Sequence, residues 1–128
     1  MINHVSIGVS DTAIAKSFYD AALKPLGYSC LSAGDTSLGY GKDAVALWVT
    51  LTRSPVKADP ASGLHFCFDG PTRKSVETFH NTALASGGRD NGKPGLRADY
   101  GENYYAAFVI DPDGYRIEAY CSRPAIVR

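Results

Sequence analysis

The sequence has no surplus of charge, no long apolar run and no paired cysteines. Its 13 basic and 13 acidic residues cancel and lie interspersed along 128 positions, so electrostatics give no support for nucleic acid or a membrane surface as partner. Hydrophobic residues make up 45% of the chain, yet no stretch approaches the roughly 18 apolar residues that a membrane span needs. Cys30, Cys67 and Cys121 are odd in number, widely spaced and without a CxxC pair. Reduced thiols rather than a disulfide framework are expected. The opening MINHVSIGV has neither a charged leader nor a small-residue cleavage site, so no secretory signal is expected and a cytoplasmic location is the default. The length suits one domain, residues 1–128, with its own core.

What the sequence does contain is a repeat. His4, Val5, Ser6 and Ile7 are matched by His65, Phe66, Cys67 and Phe68, 61 residues on. The same shift lays SFYDAAL (17–23) over TFHNTAL (78–84), so Phe18 meets Phe79, Ala22 meets Ala83, and Gly27 then falls on Gly88. One constant shift through a strand-like run, a helix-like run and the glycine after it marks two copies of one unit.

The first unit, about 1–52, opens on an alternation that puts Val5, Ile7 and Val9 on one face and His4, Ser6 and Gly8 on the other, a half-buried strand. Ser10 and Asp11 can cap a helix from Thr12 to Leu23, with Ile14, Phe18 and Ala22 on its apolar stripe and Pro25 and Gly27 stopping it. Three β-like runs follow, about Tyr28–Ser32, Ser37–Gly41 and Val45–Leu51, punctuated by turns bearing Gly and Asp. A proline-bearing connector, about 53–62, leads to the second unit, about 63–122. There a strand is expected at Leu64–Phe68. A helix is expected to start at Gly70 and Pro71 and to bury Val76, Phe79 and Ala83. Residues 88–103 read as a long polar loop. The hairpin YYAAFVI, DPDG, YRIEAYC closes the unit around a type I turn at Asp111–Gly114. The class is α+β: a strand, a helix and three strands, made twice, each small sheet free on the face its helix leaves uncovered.

Like units pack about a pseudo-two-fold axis, so His4 and His65 are candidates for one shared site. Alternation in the last strand puts Glu118 on the face away from Ile117, where a carboxylate has little packing value. Two imidazoles with one carboxylate suit Fe(II), Mn(II), Zn(II), Ni(II) or Co(II) and leave positions open for a substrate. Tyr40, Trp48 and Cys67 are candidate cavity-wall residues, and Tyr105 or Tyr120 a candidate proton donor or orienting group. Arg97, with Lys93 and Arg89, is a candidate contact for an anionic group on the substrate.

In NHVSIGV, in GLHFCF and above all in NYYAAFVIDPDGYRIEAYC, the sequence resembles the vicinal oxygen chelate superfamily. That superfamily includes glyoxalase I, extradiol dioxygenases, fosfomycin-resistance proteins and bleomycin-binding proteins. The resemblance implies two βαβββ modules forming a curled mixed sheet round one divalent metal ion, with His4, His65 and Glu118 as ligands, and a homodimer. Small sheets whose edges need cover point to the same assembly. There is one departure. Four-ligand members, glyoxalase I among them, place another carboxylate on the last strand of the first module. Trp48 stands in that place here, five residues after Asp43 as Glu118 is five after Asp113. A three-ligand arrangement is therefore expected and glyoxalase I activity is not. The implied function is a metal-dependent enzyme acting on a small substrate chelated through vicinal oxygens, its class open among isomerase or lyase, transferase and dioxygenase. The alternative is a metal-free drug-binding protein of the bleomycin-resistance type, and fold alone does not choose between them.

Overall fold

The structure is a computed structural model that describes residues 1–57 and 59–125. Among these residues the chain forms two four-stranded sheets and two α-helices. The first sheet holds β1 (Val5–Val9), β2 (Ser29–Ala33), β3 (Ser37–Gly41) and β4 (Val45–Leu51) in the order β1-β4-β3-β2. The second holds β5 (Phe66–Asp69), β6 (Arg89–Leu96), β7 (Tyr105–Ile110) and β8 (Arg116–Cys121) in the order β5-β8-β7-β6. In each, the first strand runs parallel to the last, and the remaining neighbours are antiparallel. Helices α1 (Thr12–Leu23) and α2 (Arg73–Ala85) follow β1 and β5. This is the α+β architecture of paired βαβββ units.

Both helices are set by their caps. The Asp11 side chain accepts the Ile14 amide at 3.0 Å, satisfying a donor that the first turn leaves free. In α2, Thr72 and Ser75 form a reciprocal capping box, so the helix starts at Arg73 and Pro71 stays outside it. Gly27 and Gly87 end the helices in left-handed conformation, at φ 92° and 99°. Tyr28 N–H then reaches Leu23 O at 3.2 Å and Gly88 N–H reaches Ala83 O at 2.9 Å, the 6→1 closure of a Schellman motif. By conformation Gly87, not Gly88, is the partner of Gly27, so the repeat slips by one residue at this point.

Ile14 is exposed rather than part of the apolar stripe; the buried arc of α1 runs through Ala15, Phe18, Tyr19, Ala22 and Leu23. The polar stretch after α2 is not a loop throughout. Arg89–Leu96 forms β6, an edge strand whose register against β7 shifts on either side of Gly92. A Cβ at Gly92 would meet the Phe108 ring at 2.8 Å. Pro94 is tolerated because an edge strand needs hydrogen bonds on one side only.

One apolar core takes residues from both sheets and both helices, with the repeat-related Phe18 and Phe79 fully enclosed. Each ring contributes about 1.5–3 kcal/mol by leaving water. Polar clamps also tie the halves together. Tyr19 Oη donates to Asp111 Oδ2 at 2.5 Å, Ser10 Oγ to Asp113 Oδ1 at 2.7 Å, and Tyr115 Oη to Gly8 O at 2.7 Å. Among the described residues no helix is long and apolar enough to cross a membrane.

Candidate functional site

Alternation assigns each strand residue to the core face or to the outer face. In the second sheet Ile117, Ala119 and Cys121 are enclosed on the core side. Glu118 instead pairs with Cys67 on β5 and Phe108 on β7, on the outer face. His65, directly before β5, shares the parity of Cys67. Its Nε2 lies 3.0 Å from Glu118 Oε1. The second carboxylate oxygen, Oε2, accepts the Tyr104 hydroxyl at 2.5 Å. Tyr104 stacks on Tyr120 with centroids 4.3 Å apart and planes inclined at 33°. His65, Tyr104 and Glu118 border an open recess of ≈ 750 Å³ whose lining also includes Asn91, Phe108 and Arg116.

The Glu118 side chain is only 3% exposed. A buried carboxylate is costly unless paired and hydrogen-bonded, and here both oxygens are occupied. Among the described residues no Lys or Arg nitrogen lies within 4.0 Å of it, and the partner that can bring positive charge to it is His65, which is charged only when protonated. Desolvation first, and then the hydrogen bond to Glu118, raise the Tyr104 hydroxyl well above the ordinary tyrosine range. The Cys67 side chain reaches solvent. Even so, packing around its sulfur, followed by the Glu118 charge, pushes the thiol up to about 12, which leaves it protonated and a poor nucleophile at neutral pH.

The structure brings together part of the expected residue set. His65, Glu118, Cys67 and Tyr120 share one face. His4 lies just before β1 and lines a crevice of ≈ 520 Å³ together with His65 and Cys67. However, its Nδ1 is bonded to Asn3 Oδ1 at 2.8 Å. Among the described residues no three His, Cys, Asp or Glu side chains gather closely enough to hold a metal ion. Within one chain His4 is therefore not gathered with His65 and Glu118; the sequence leaves open whether the three would meet within one chain or across a dimer. For a first-row divalent ion the His65–Glu118 pair is a fitting half-set, an imidazole beside a buried carboxylate with no permanent cation on it, and it lacks a third protein donor.

Other residues lie elsewhere than expected. Tyr105 faces α2, where its hydroxyl donates to Glu77 Oε2 at 2.6 Å beneath the Arg73 guanidinium. Tyr40 is buried in the core and its hydroxyl donates to Asp20 at 2.8 Å, although its ring borders the His4 crevice. Trp48 pairs with Ser6 and Gly39 on the outer face of the first sheet, the position that Glu118 holds in the second. Its indole lies where a Cβ on Gly39 would meet Cζ3 at 2.8 Å. Arg97 is committed to its own segment: it donates to Gly95 O at 2.9 Å and Lys93 O at 2.7 Å and lies over the Phe108 ring. Tyr104 did not figure among the expected site residues. The signal for it was present: counted back through the Asp111–Gly114 turn, Phe108 opposes Glu118, so Ala106 and Tyr104 follow on the same face.

Paired βαβββ units with a buried acidic residue on the outer face of the second sheet define the class of protein. The family model for the Glyoxalase/Bleomycin resistance protein/Dioxygenase superfamily matches residues 1–119, and the chain belongs to that family. A glyoxalase/bleomycin resistance protein from Albidiferax ferrireducens T118 is 30% identical, with a TM-score of 0.80 over 95% of this chain and 98% of that one. A glyoxalase-related enzyme from Fulvimarina pelagi, 16% identical, shares the fold with a TM-score of 0.74 over 94% of this chain and 87% of its own. A glyoxalase/bleomycin resistance protein/dioxygenase family enzyme from Burkholderia phytofirmans PsJN does so with 17% identity and a TM-score of 0.71, covering 95% and 98% of the two chains. No curated protein sequence matches this chain.

Proposed function

We propose that the chain is a divalent-metal-dependent enzyme of the vicinal oxygen chelate type, working in the cytoplasm as a homodimer on a small substrate that presents adjacent oxygens. The observation that carries this reading is Glu118: a carboxylate 3% exposed, 3.0 Å from the His65 imidazole and without a Lys or Arg partner among the described residues. His65 and Glu118 would hold the ion, and His4 from a second copy would complete the set, since His4 is exposed and not gathered to the pair within one chain. Fe(II), Mn(II), Zn(II), Ni(II) and Co(II) suit such donors. The bound ion would supply Lewis-acid stabilisation of negative charge developing on the chelating oxygens.

The rest of the chemistry belongs to this chain's own side chains. The Tyr104 hydroxyl fixes the orientation of Glu118 through Oε2. Tyr120, stacked on Tyr104, is the candidate orienting group for the substrate. Cys67, protonated at neutral pH, is a lining group. Trp48 in place of a carboxylate speaks against a fourth protein ligand and against glyoxalase I activity.

A second reading, metal-free binding of a small molecule in the manner of bleomycin-resistance proteins, is favoured by the fact that His65 and Tyr104 already occupy both oxygens of Glu118. Thermal unfolding of tag-free protein with added Mn(II), Fe(II), Co(II), Ni(II) or Zn(II) separates the two. The enzyme reading expects at least one ion to raise Tm in the wild type and to lose that effect in Glu118→Gln and His65→Ala. Equal Tm with and without every ion supports the binder.

A further inference from the structure

Arg89, Ile110 and Arg116 form one row across β6, β7 and β8: Arg89 pairs with Ile110, and Ile110 with Arg116. Arg116 has the parity of Glu118, so the row lies on the outer face. Two strand spacings put the arginine backbones roughly 10 Å apart, with Ile110 between them, within range for two long side chains to converge on one group. Neither guanidinium has a carboxylate within 4.0 Å among the described residues. Each presents five donors in a planar fork that matches the oxygens of a carboxylate or phosphate.

The connector closes this row into a recess of ≈ 200 Å³, to which Lys57 and Ser62 also contribute. Asp59 is the acidic residue in the lining, and its Oδ1 is engaged by the Ala61 amide at 2.9 Å as the cap of a short 3-10 turn, Pro60–Ser62. Three cationic side chains thus face one carboxylate that is already bonded to backbone. The volume suits a single oxyanion with a few attached atoms.

Arg116 also lines the larger recess that holds His65, Tyr104 and Glu118. It precedes Glu118 by two residues on the same face of β8, a separation of about 7 Å along the strand. The two recesses therefore meet at Arg116.

We infer that Arg89 and Arg116, backed by Lys57, form an oxyanion subsite, and that the substrate of the Glu118 site is an anion carrying a terminal carboxylate or phosphate group. The inference rests on the proposal that substrate occupies the recess at Glu118. It replaces Arg97 with Arg89 and Arg116 as the anion contact.

The test is calorimetric titration of EDTA-treated protein, at fixed ionic strength, with inorganic phosphate and separately with succinate. Saturable binding of at least one anion is expected, weakened tenfold or more in Arg89→Gln and in Arg116→Gln and unchanged in Lys74→Gln on α2. Tighter binding of phosphate assigns a phosphorylated substrate; tighter binding of succinate assigns a carboxylic acid. Absence of saturable binding of either anion to the wild type overturns the proposal, as does wild-type affinity retained in both arginine variants. Arg89 is exposed on an edge strand, so Arg89→Gln keeps the test decisive if Arg116→Gln misfolds. Because no metal is present, failure here leaves the metal-binding reading standing, and failure of metal binding leaves the anion result standing.

Discussion

Trp48 and Glu118 hold the same place in the two halves: Trp48 pairs with Ser6 across the parallel β1–β4 ladder, and Glu118 with Cys67 across β5–β8. The core faces have stayed alike, with Phe18 and Phe79 both fully enclosed. The outer faces have diverged, one around an indole and the other around a carboxylate. Gly39 is part of that divergence, since an added Cβ would meet the Trp48 ring at 2.8 Å and Val45 Cγ2 at 2.9 Å. Gly39→Ala is expected to cost about 1–3 kcal/mol by overpacking. In Trp48→Ala the same change should cost less, and a double-mutant cycle by urea denaturation reads the coupling. Additive effects would mean that the indole does not sit on Gly39.

Tyr19 and Asp111 join α1 to the last hairpin. Asp111 Oδ2 accepts the Tyr19 hydroxyl at 2.5 Å, while Oδ1 accepts the amides of Asp113 and Tyr115. Tyr19→Phe strands a buried acceptor and is expected to cost about 1–3 kcal/mol.

Burial holds the Asp111 carboxyl above its ordinary value of 3.8, against the lowering pull of Tyr19 and the two amides. A carboxyl raised in the folded state binds its proton more tightly there than in the unfolded chain. Its contribution to stability is thus present at low pH and withdrawn as pH rises from 3.8 through the folded value. Loss of the Tyr19 hydroxyl raises the folded value further. The deficit of Tyr19→Phe should therefore be larger at pH 7 than near pH 4, measured as ΔG of unfolding at the two pH values. A deficit independent of pH would contradict this.

Cys67 offers a probe of the site without any ligand. With its thiol pushed up to about 12 by burial and then by Glu118, alkylation by iodoacetamide at pH 8 should be slow. Glu118→Gln should speed it several-fold, because the charge is one of two main causes. Peptide mapping distinguishes Cys67 from Cys30 and Cys121. An unchanged rate would mean that Glu118 does not act on the thiol.

Much of this was legible in the sequence because alternation and repetition are local. The faces of His65, Cys67 and Glu118 follow from a period of two, and α1 matches its expected bounds of Thr12–Leu23. Tyr104 and Tyr105 could not be told apart by composition; only the hairpin register separates them, and one residue of slip sends each to the opposite face. The edge strand β6 is rich in glycine and carries Pro94, so its propensity argued for a loop while pairing with β7 made it a strand. Whether His4 meets His65 and Glu118 within one chain or across two was not legible, because it depends on how the units pack, which no local pattern records.

If His4 reaches the site from a second copy, His4→Ala and Glu118→Gln chains should each fail to bind metal. Their mixture, after unfolding and refolding together, should recover part of it through one intact site per hybrid dimer. No recovery would place all ligands in a single chain.

The most direct measurement is the metal content of tag-free protein after equilibrium dialysis against a first-row divalent ion, read by mass spectrometry of the metal. The expected result is close to one ion per chain in the wild type and a near-complete loss in Glu118→Gln with unchanged circular dichroism. Wild-type protein that retains no ion under these conditions would contradict the metalloenzyme and leave a binding protein in its place.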